Sequence, residues 1–509
     1  MKRKVWKRKI ISFLAIIAAA LAMNESIVFA NEDIVCGADI GWMSQMEDEG
    51  VTWVDDDGVT TDPLVLLKNK GINAVRLRVF VKPSSDFEWT KPDGTVCKLG
   101  YTDTAGLLYL AQRARNLNMK ILVDFHYSDY FADPSIQDVP SEWADATTSE
   151  LEQYIYDYTV YIMTRLANEG IYPEWVQVGN EVSHGILFPT GSNTTNDFTQ
   201  LTRYLNSGYD AVKAVSPNSK VVTHLTHGAG IDHFEWFFRN FLTVQGGKTD
   251  VIGMSYYPYW MGANDIENMT YNLNKMAAKY GKEVMICETG DYETNPEGTY
   301  TLMRQEMNAL KTVANNKAIG IFYWEPEANS ALLPDGYPLG ATELVGEKTL
   351  KFTSALDAFM TEPEFLDDEC SFEIQNYNSG MALNVAGGSL ENSAVIEQYT
   401  YDKWNSQKWI FEKVDGNYYK IVNKNSGKVL DINGLSTSAG TSCIQYDYNG
   451  GWNQMWEIVS TTEGQYKIKN RWSGLYLGIA NASESNGAVC VQMEDNESDN
   501  LRWYFLVTE

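Results

Sequence analysis

Eight short apolar runs, each followed by a longer amphipathic stretch, most restrict what this 509-residue chain can fold into. The runs are VCGADIGW (35–42), NAVRLRVFV (73–81), KILVDFHY (120–127), WVQVGNEV (175–182), KVVTHLTH (220–227), DVIGMSYYP (250–258), EVMICETG (283–290) and AIGIFYWEP (318–326). Segments with helical spacing lie between them, among them 104–118, 149–169, 197–215 and 266–280. Strand followed by helix, eight times in succession, predicts a (β/α)8 TIM barrel over residues 31–360. An open doubly wound sheet needs a glycine-rich phosphate loop after an early strand, and neither GxGxxG nor GxxxxGK[ST] occurs there.

Residues 361–370 (TEPEFLDDEC) read as an acidic linker, after which the pattern changes to short strands and turns. This second region, 371–509, repeats every 47 residues without a gap. Trp409, Trp456 and Trp503 keep that step, as do Gly380, Gly427 and Gly474, Gln398, Gln445 and Gln492, Asn376, Asn423 and Asn470, and Ile374, Ile421 and Ile468. Three such copies predict an all-β domain of threefold repeat.

Residues 1–30 read as a secretion leader: a basic start (MKRKVWKRK), an apolar run of 14 residues from Ile10 to Met23, and small residues before a cut after Ala30. The expected mature chain carries 34 Lys and Arg against 66 Asp and Glu, a net charge of about −32. That charge excludes nucleic acid and anionic lipid as partners. It suits a secreted, extracellular monomer acting on a neutral substrate away from the membrane. The 15 Trp, 30 Tyr and 19 Phe supply rings on which sugars stack. Six cysteines at 36, 97, 287, 370, 443 and 490 form no CxxC motif. Cys36–Cys97 and Cys443–Cys490 are open as bridges; Cys443 and Cys490 also occupy equivalent repeat positions, which reads as apolar core.

Polar residues gather at the strand ends: Arg76 and Arg78, Asp124 and His126, Asn180 and Glu181, His224 and His227, Tyr256 and Tyr257, Glu288, and Trp324 with Glu325. In a barrel these ends open onto one face. Glu181 and Glu288 then share one mouth, the arrangement that glycoside hydrolysis requires. The acid must keep a proton through burial or a like charge, and the nucleophile must stay ionised beside an arginine. Arg76 and Arg78 share strand parity and so face the barrel interior, one of them near Glu288. The absence of a His-x-His pair in the first strand argues against a metal-dependent hydrolase.

The segments GADIGWMSQME (37–47), GINAVRLRVFV (71–81), DFHYSDYFADP (124–134), VQVGNEVSHGILFP (176–189), DVIGMSYYPYW (250–260), CETG (287–290) and FYWEPE (322–327) resemble glycoside hydrolase family 53, the arabinogalactan endo-β-1,4-galactanases. The resemblance implies a retaining enzyme that cuts β-1,4-galactan side chains of pectin. Glu181 is then the general acid/base and Glu288 the nucleophile. Asn180 is expected to bond the sugar 2-hydroxyl and Tyr256 to hold Glu288. Arg78 and His126 are expected to line the central subsite, Arg76 to be a further substrate-binding residue, and Trp324 to form the stacking floor. No cofactor is required; some bacterial members bind calcium in late loops, but that motif is not matched here. Phe80, Phe131 and Phe188 stand where the family carries tryptophan, which keeps a clan relative acting on β-mannan, β-glucan or xylan as the alternative.

The repeat region resembles the ricin-type β-trefoil lectins, with Gln407-Lys-Trp409 and Gln454-Met-Trp456 as the signature and Leu501-Arg-Trp503 a departure from it. The resemblance implies one competent sugar pocket, in the middle copy, built from Asp431, Tyr448 and Asn453. A galactose-containing glycan is its expected ligand.

Overall fold

A computed structural model describes residues 34–83, 88–90, 96–98, 100–333 and 336–509. The leader expected at 1–30 lies outside the described residues, and so does the side chain of Cys97. Among the described residues no helix is long and apolar enough to cross a membrane.

Eight parallel strands close a barrel in sequence order: β1 (Val35–Asp39), β2 (Ala74–Val79), β3 (Lys120–Phe125), β4 (Trp175–Val178), β5 (Lys220–Leu225), β6 (Val251–Tyr256), β7 (Glu283–Thr289) and β8 (Ala318–Trp324). The last pairs with the first, Asp39 opposite Trp324, so no edge is left open. Among the described residues, seven α-helices of seven residues or more cover the outside: α1 (Pro63–Asn69), α2 (Thr104–Asn116), α3 (Thr148–Asn168), α4 (Thr199–Val215), α5 (Ile231–Phe238), α6 (Ile266–Tyr280) and α7 (Pro296–Lys311). The start of α3 shows why these segments begin where they do. Thr147 and Glu150 cap it reciprocally, satisfying two amides that a helix start leaves unpaired.

Strand alternation sorts side chains into two sets. One set fills the barrel's inner core: Val35, Ala74, Leu122, Trp175, Val222, Val251, Met285, Cys287 and Phe322. Moving along the same parity toward the C-terminal ends, this set turns polar: Asp39, Arg76, Arg78, Asp124, His126, Gln177, His224 and Ser255, all buried. The other set packs against the helices.

The trefoil expectation holds in detail. Each repeat tryptophan is fully buried and donates its indole hydrogen to a carbonyl of its own copy: Trp409 to Leu383 at 2.9 Å, Trp456 to Leu430 at 3.0 Å and Trp503 to Leu477 at 3.1 Å. The repeat glutamines link copies in a ring. Gln398 donates to Ser483 O, Gln445 to Ser389 O and Gln492 to Ser436 O. Buried amide hydrogens that find their acceptors in a neighbouring copy explain why this residue recurs three times. Gly380, Gly427 and Gly474 take φ of +68°, +68° and +74°, the left-handed region that favours glycine. Cys443 and Cys490 are free, fully buried thiols, as their repeat position predicts, and no bridge joins them.

The segment 361–370 is pinned rather than loose. Arg304 of α7 reaches Asp367 Oδ2 at 3.2 Å, Glu369 Oε2 at 2.9 Å and Thr361 O at 2.6 Å. The trefoil then rests on α6: Tyr401 donates to Glu267 at 3.2 Å and the rings of Tyr271 and Tyr504 meet edge to face at 5.4 Å.

Candidate active site

The mouth of the barrel is organised by Arg76. Its Nη1 meets Asp39 Oδ2 at 2.7 Å, and its Nη2 meets Asp124 Oδ2 at 2.8 Å and Glu288 Oε1 at 2.9 Å. One guanidinium thus serves three carboxylates, and its five donors suit that task. Asn180 and Gln177 accept from it as well.

Alternation alone would aim Glu288 outward, because Cys287 already faces the inner core. A register shift corrects this. Met254 opposes Ile286, yet Ser255 opposes Glu288, so Cys287 is an extra residue in β7. Such a bulge redirects the following side chain, here into the mouth.

The same alternation corrects one expectation. Tyr256 does not hold Glu288. Positions 251, 253 and 255 face inward, so Tyr256 points to the helix layer. There its hydroxyl donates to Asn264 Oδ1 at 2.6 Å and accepts from the Asp265 amide at 2.8 Å. The hydroxyl that reaches Glu288, Oε2 at 3.3 Å, is that of Tyr257.

Glu181 follows β4 in the left-handed region, φ +44° and ψ +52°. That conformation is costly for a residue with a Cβ and recurs at functional positions. It is reached through Gly179, φ +84°, where a Cβ would come within 2.6 Å of Val182 Cγ1. Glu181 Oε1 lies within hydrogen-bond distance of Ser255 Oγ, at 2.6 Å. The two glutamates therefore converge on Ser255, which hydrogen-bonds one and opposes the other across the sheet.

Their electrostatics differ in kind. The packing around the Glu181 carboxyl raises it above the usual range, while Ser255 and Thr226 pull it down. Burial pushes Glu288 up to about 8, against the pull of Arg76 and with the charge of Glu181 adding to the rise. The simple expectation of a raised acid and an ordinary nucleophile is thus modified: burial raises both carboxyls, and the pull of Arg76, shared among three acids, offsets it only in part. The pair retains a proton near neutrality, and the direct guanidinium contact favours the negative charge on Glu288.

Arg78 and His126 are present at the mouth but already occupied. Arg78 Nη1 pairs with Asp39 Oδ1 at 3.1 Å and with Glu325. Its guanidinium lies between the rings of Trp42 (5.3 Å), Phe131 (4.8 Å) and Trp324 (5.8 Å). His126 donates from Nε2 to Asp124 Oδ2 at 2.9 Å and accepts at Nδ1 from the Ala132 amide at 2.9 Å. Both ring nitrogens of His126 are thus engaged, whereas Arg78 keeps a buried Nε without a hydrogen-bond partner among the described residues. Asn180 accepts from Arg76 and gives one of its two amide hydrogens to Ala132 O at 2.8 Å. Trp324 is half-buried, edge-on to Trp42 at 5.0 Å and to Tyr337 at 4.6 Å. Sequence reasoning missed Asp39, Gln177, Ser255 and Trp42 as site residues; continuing the inward parity of each strand by one step would have found the first three.

Phe80 stands fully buried, edge-on to His126 at 5.0 Å and to Phe131 at 5.4 Å. Among the described residues, no group of His, Cys, Asp or Glu is arranged to hold a metal ion.

In the trefoil the middle copy assembles as expected in part. Asp431 accepts from Asn453 Nδ2 at 2.7 Å and from Gln454 Nε2 at 2.8 Å. Tyr448 is the repeat equivalent of Tyr401, the residue turned to Glu267 of the barrel; the ring two residues earlier, Tyr446, is the equivalent of Tyr399. Tyr399 lines a cavity of about 550 Å³ in the first copy, with Asn384, Glu397, Trp404 and Asn405. Asn384 stands where the aspartate is absent, but it donates to Glu397 Oε1 at 3.0 Å from the paired strand. That neighbour returns a carboxylate to the pocket. Asn384 Oδ1 is buried with no hydrogen-bond partner among the described residues. In the third copy Leu501 fills the corresponding space: a Cβ on Gly478 would lie 2.6 Å from Leu501 Cδ2.

The comparisons agree with this geometry. The profile of glycosyl hydrolase family 53 matches residues 35–359, and that of the ricin-type beta-trefoil lectin domain-like family matches 364–446 and 452–509. An endo-beta-1,4-galactanase of Bacillus subtilis is 31% identical over 318 residues, 58% of this chain and 70% of that protein. An arabinogalactan endo-beta-1,4-galactanase of Humicola insolens is 32% identical over 309 residues, 56% of this chain and 88% of that protein. The solved GH53 catalytic domain of Ignisphaera aggregans superposes with a TM-score of 0.56 at 27% identity, covering 66% of this chain and 98% of that one. With a family profile spanning the whole barrel and two glutamates converging at its mouth, the chain belongs to glycosyl hydrolase family 53 and carries a C-terminal ricin-type trefoil.

Proposed function

We propose that the chain is a secreted endo-β-1,4-galactanase that cleaves β-1,4-galactan side chains of pectin with retention. Glu288 attacks the anomeric carbon while Glu181 protonates the leaving oxygen; Glu181 then takes a proton from the water that releases the glycosyl-enzyme. The observation that carries this division of roles is the Arg76–Glu288 contact of 2.9 Å, since a cation favours the ionised nucleophile. Glu181 is held by hydroxyls instead. The names borne by relatives support galactan as the polymer. Asn180 gives its second amide hydrogen to the sugar 2-hydroxyl, and Trp324 stacks beneath the ring. The trefoil tethers the enzyme to a galactose-containing glycan through the first-copy cavity, where an exposed Trp404 and the Glu397 carboxylate offer stacking and acceptor groups.

The test is reducing-end release from purified β-1,4-galactan, β-mannan, β-glucan and xylan, with the anomeric form of the first product read by NMR. Release from galactan alone, with the β-anomer first, supports the reading. A preference for another polymer, or an α-anomer first, overturns it.

A further inference from the structure

Behind Glu181 stand two side chains that this double displacement does not itself use. Ser255 Oγ lies 2.6 Å from Glu181 Oε1 and 2.8 Å from His224 Nε2. A hydroxyl has one hydrogen, so it cannot donate in both directions. Asn180 decides which way it points. Its Oδ1 faces Arg76 Nη2 at 2.9 Å and Gln177 Nε2 at 3.0 Å. Arginine only donates, so this amide oxygen is fixed in place. His224 Nδ1 is 3.1 Å from the same oxygen, a contact that needs a hydrogen on Nδ1. Nε2 then carries a lone pair and takes the Ser255 hydrogen. The hydrogen in the short contact between Ser255 and Glu181 must come from the carboxyl. The opposite tautomer is called for only by the Glu181 amide, which approaches Nδ1 at 3.4 Å.

We propose that His224 and Ser255 are positioning residues that hold Glu181 in its protonated form and reverse one hydrogen bond during turnover. When Glu181 gives its proton to the leaving oxygen, the Ser255 hydrogen swings from His224 Nε2 to the new carboxylate. When the carboxylate takes a proton from the attacking water, the hydrogen swings back. No heavy atom needs to move, and each proton lost by Glu181 is regained from water. Asp133 and Glu288 also oppose a charge on Glu181 and Arg76 favours it, while the Tyr257 hydroxyl faces both glutamates. Around His224, burial, Arg76 and His126 keep the ring neutral against Asp124. The inference rests on Glu181 being the acid/base.

Two measurements on the full chain test it. With five histidines in the sequence, nitrogen-15 NMR of labelled protein resolves each ring. His224 is expected with its hydrogen on Nδ1; a hydrogen on Nε2 in the substrate-free enzyme overturns the proposal even if every variant misfolds. The second is the pH profile of kcat/KM. His224→Leu removes the competing acceptor and frees the Ser255 hydrogen for the carboxylate, so the basic limb should move about one pH unit lower. Ser255→Thr keeps the hydroxyl and should transmit the same shift, whereas in a Ser255→Ala background the histidine change should shift nothing. An unmoved limb in His224→Leu, or an equal shift without the hydroxyl, overturns the relay. Glu181→Gln separates the two ideas: retained activity there sinks the acid/base reading itself.

Discussion

Arg76 Nη2 approaches Glu288 Oε1 at 2.9 Å from across the barrel mouth, while the same side chain also neutralises Asp39 and Asp124. Removing it leaves three buried acids facing one another. Arg76→Met should lower kcat/KM about a thousandfold, the equivalent of the roughly 3–5 kcal/mol at stake when a buried pair loses one partner. The sign of the pH effect follows from the charge. Without the cation the Glu288 carboxyl holds its proton to higher pH, so the acid limb of kcat/KM moves to higher pH. Arg76→Lys keeps the charge and should recover part of both effects. An acid limb at the wild-type position in Arg76→Met would remove the electrostatic argument.

The two adjacent tyrosines should behave differently. Tyr257→Phe deletes the hydroxyl facing Glu288 and should reduce kcat about ten- to a hundredfold with unchanged melting temperature. Tyr256→Phe deletes hydrogen bonds to Asn264 and Asp265 and should cost about 1 kcal/mol of stability while leaving kcat near wild type. Steady-state kinetics and thermal melts on both variants decide it; the reverse pattern would mean that the inward parity of β6 is misread.

What was legible in advance was what repeats. Eight apolar runs and a 47-residue step specify both folds because each copy must solve the same packing problem. The glutamate pair was legible because strand ends share a face. Tyr257 was not, because its assignment depends on counting parity along β6, and the aim of Glu288 depends on a one-residue bulge that no local signal announces. Arg78 and His126 were recognisable as mouth residues, but their availability depends on partners from other strands and loops, Glu325 and the Ala132 amide. The first trefoil pocket was passed over because its carboxylate, Glu397, comes from the strand paired with Asn384 rather than from Asn384's own position.

That pocket gives a separable prediction. Glu397→Gln or Trp404→Ala should weaken retention on immobilised galactan about tenfold, the scale of one charged hydrogen bond or one stacked ring. Hydrolysis of short soluble galacto-oligosaccharides should be unchanged, because the barrel mouth is untouched. Affinity electrophoresis beside oligosaccharide kinetics reads both. Loss of retention in Asp431→Asn instead would place the working site in the middle copy.

Glu373 offers a stability test away from the chemistry. It is 2% exposed in the first strand of the trefoil (Ser371–Asn376), where among the described residues its side chain accepts only a long bond from Gln375 Nε2 at 3.3 Å. Burial and the nearby Glu267 charge push it up to about 8. A carboxyl whose folded value is raised binds more protons in the folded state than in the unfolded one. Stability is therefore greatest below the unfolded value of about 4.3 and falls as pH rises toward 8. Glu373→Gln keeps the shape and removes the titration. Its melting temperature should exceed that of wild type at pH 8, and the gap should shrink steadily toward pH 5. Since Glu373 lies in the trefoil, kcat on soluble oligosaccharides should stay the same throughout. A gap independent of pH would show that the gain comes from packing or hydrogen bonding and that the buried charge is not what limits this strand.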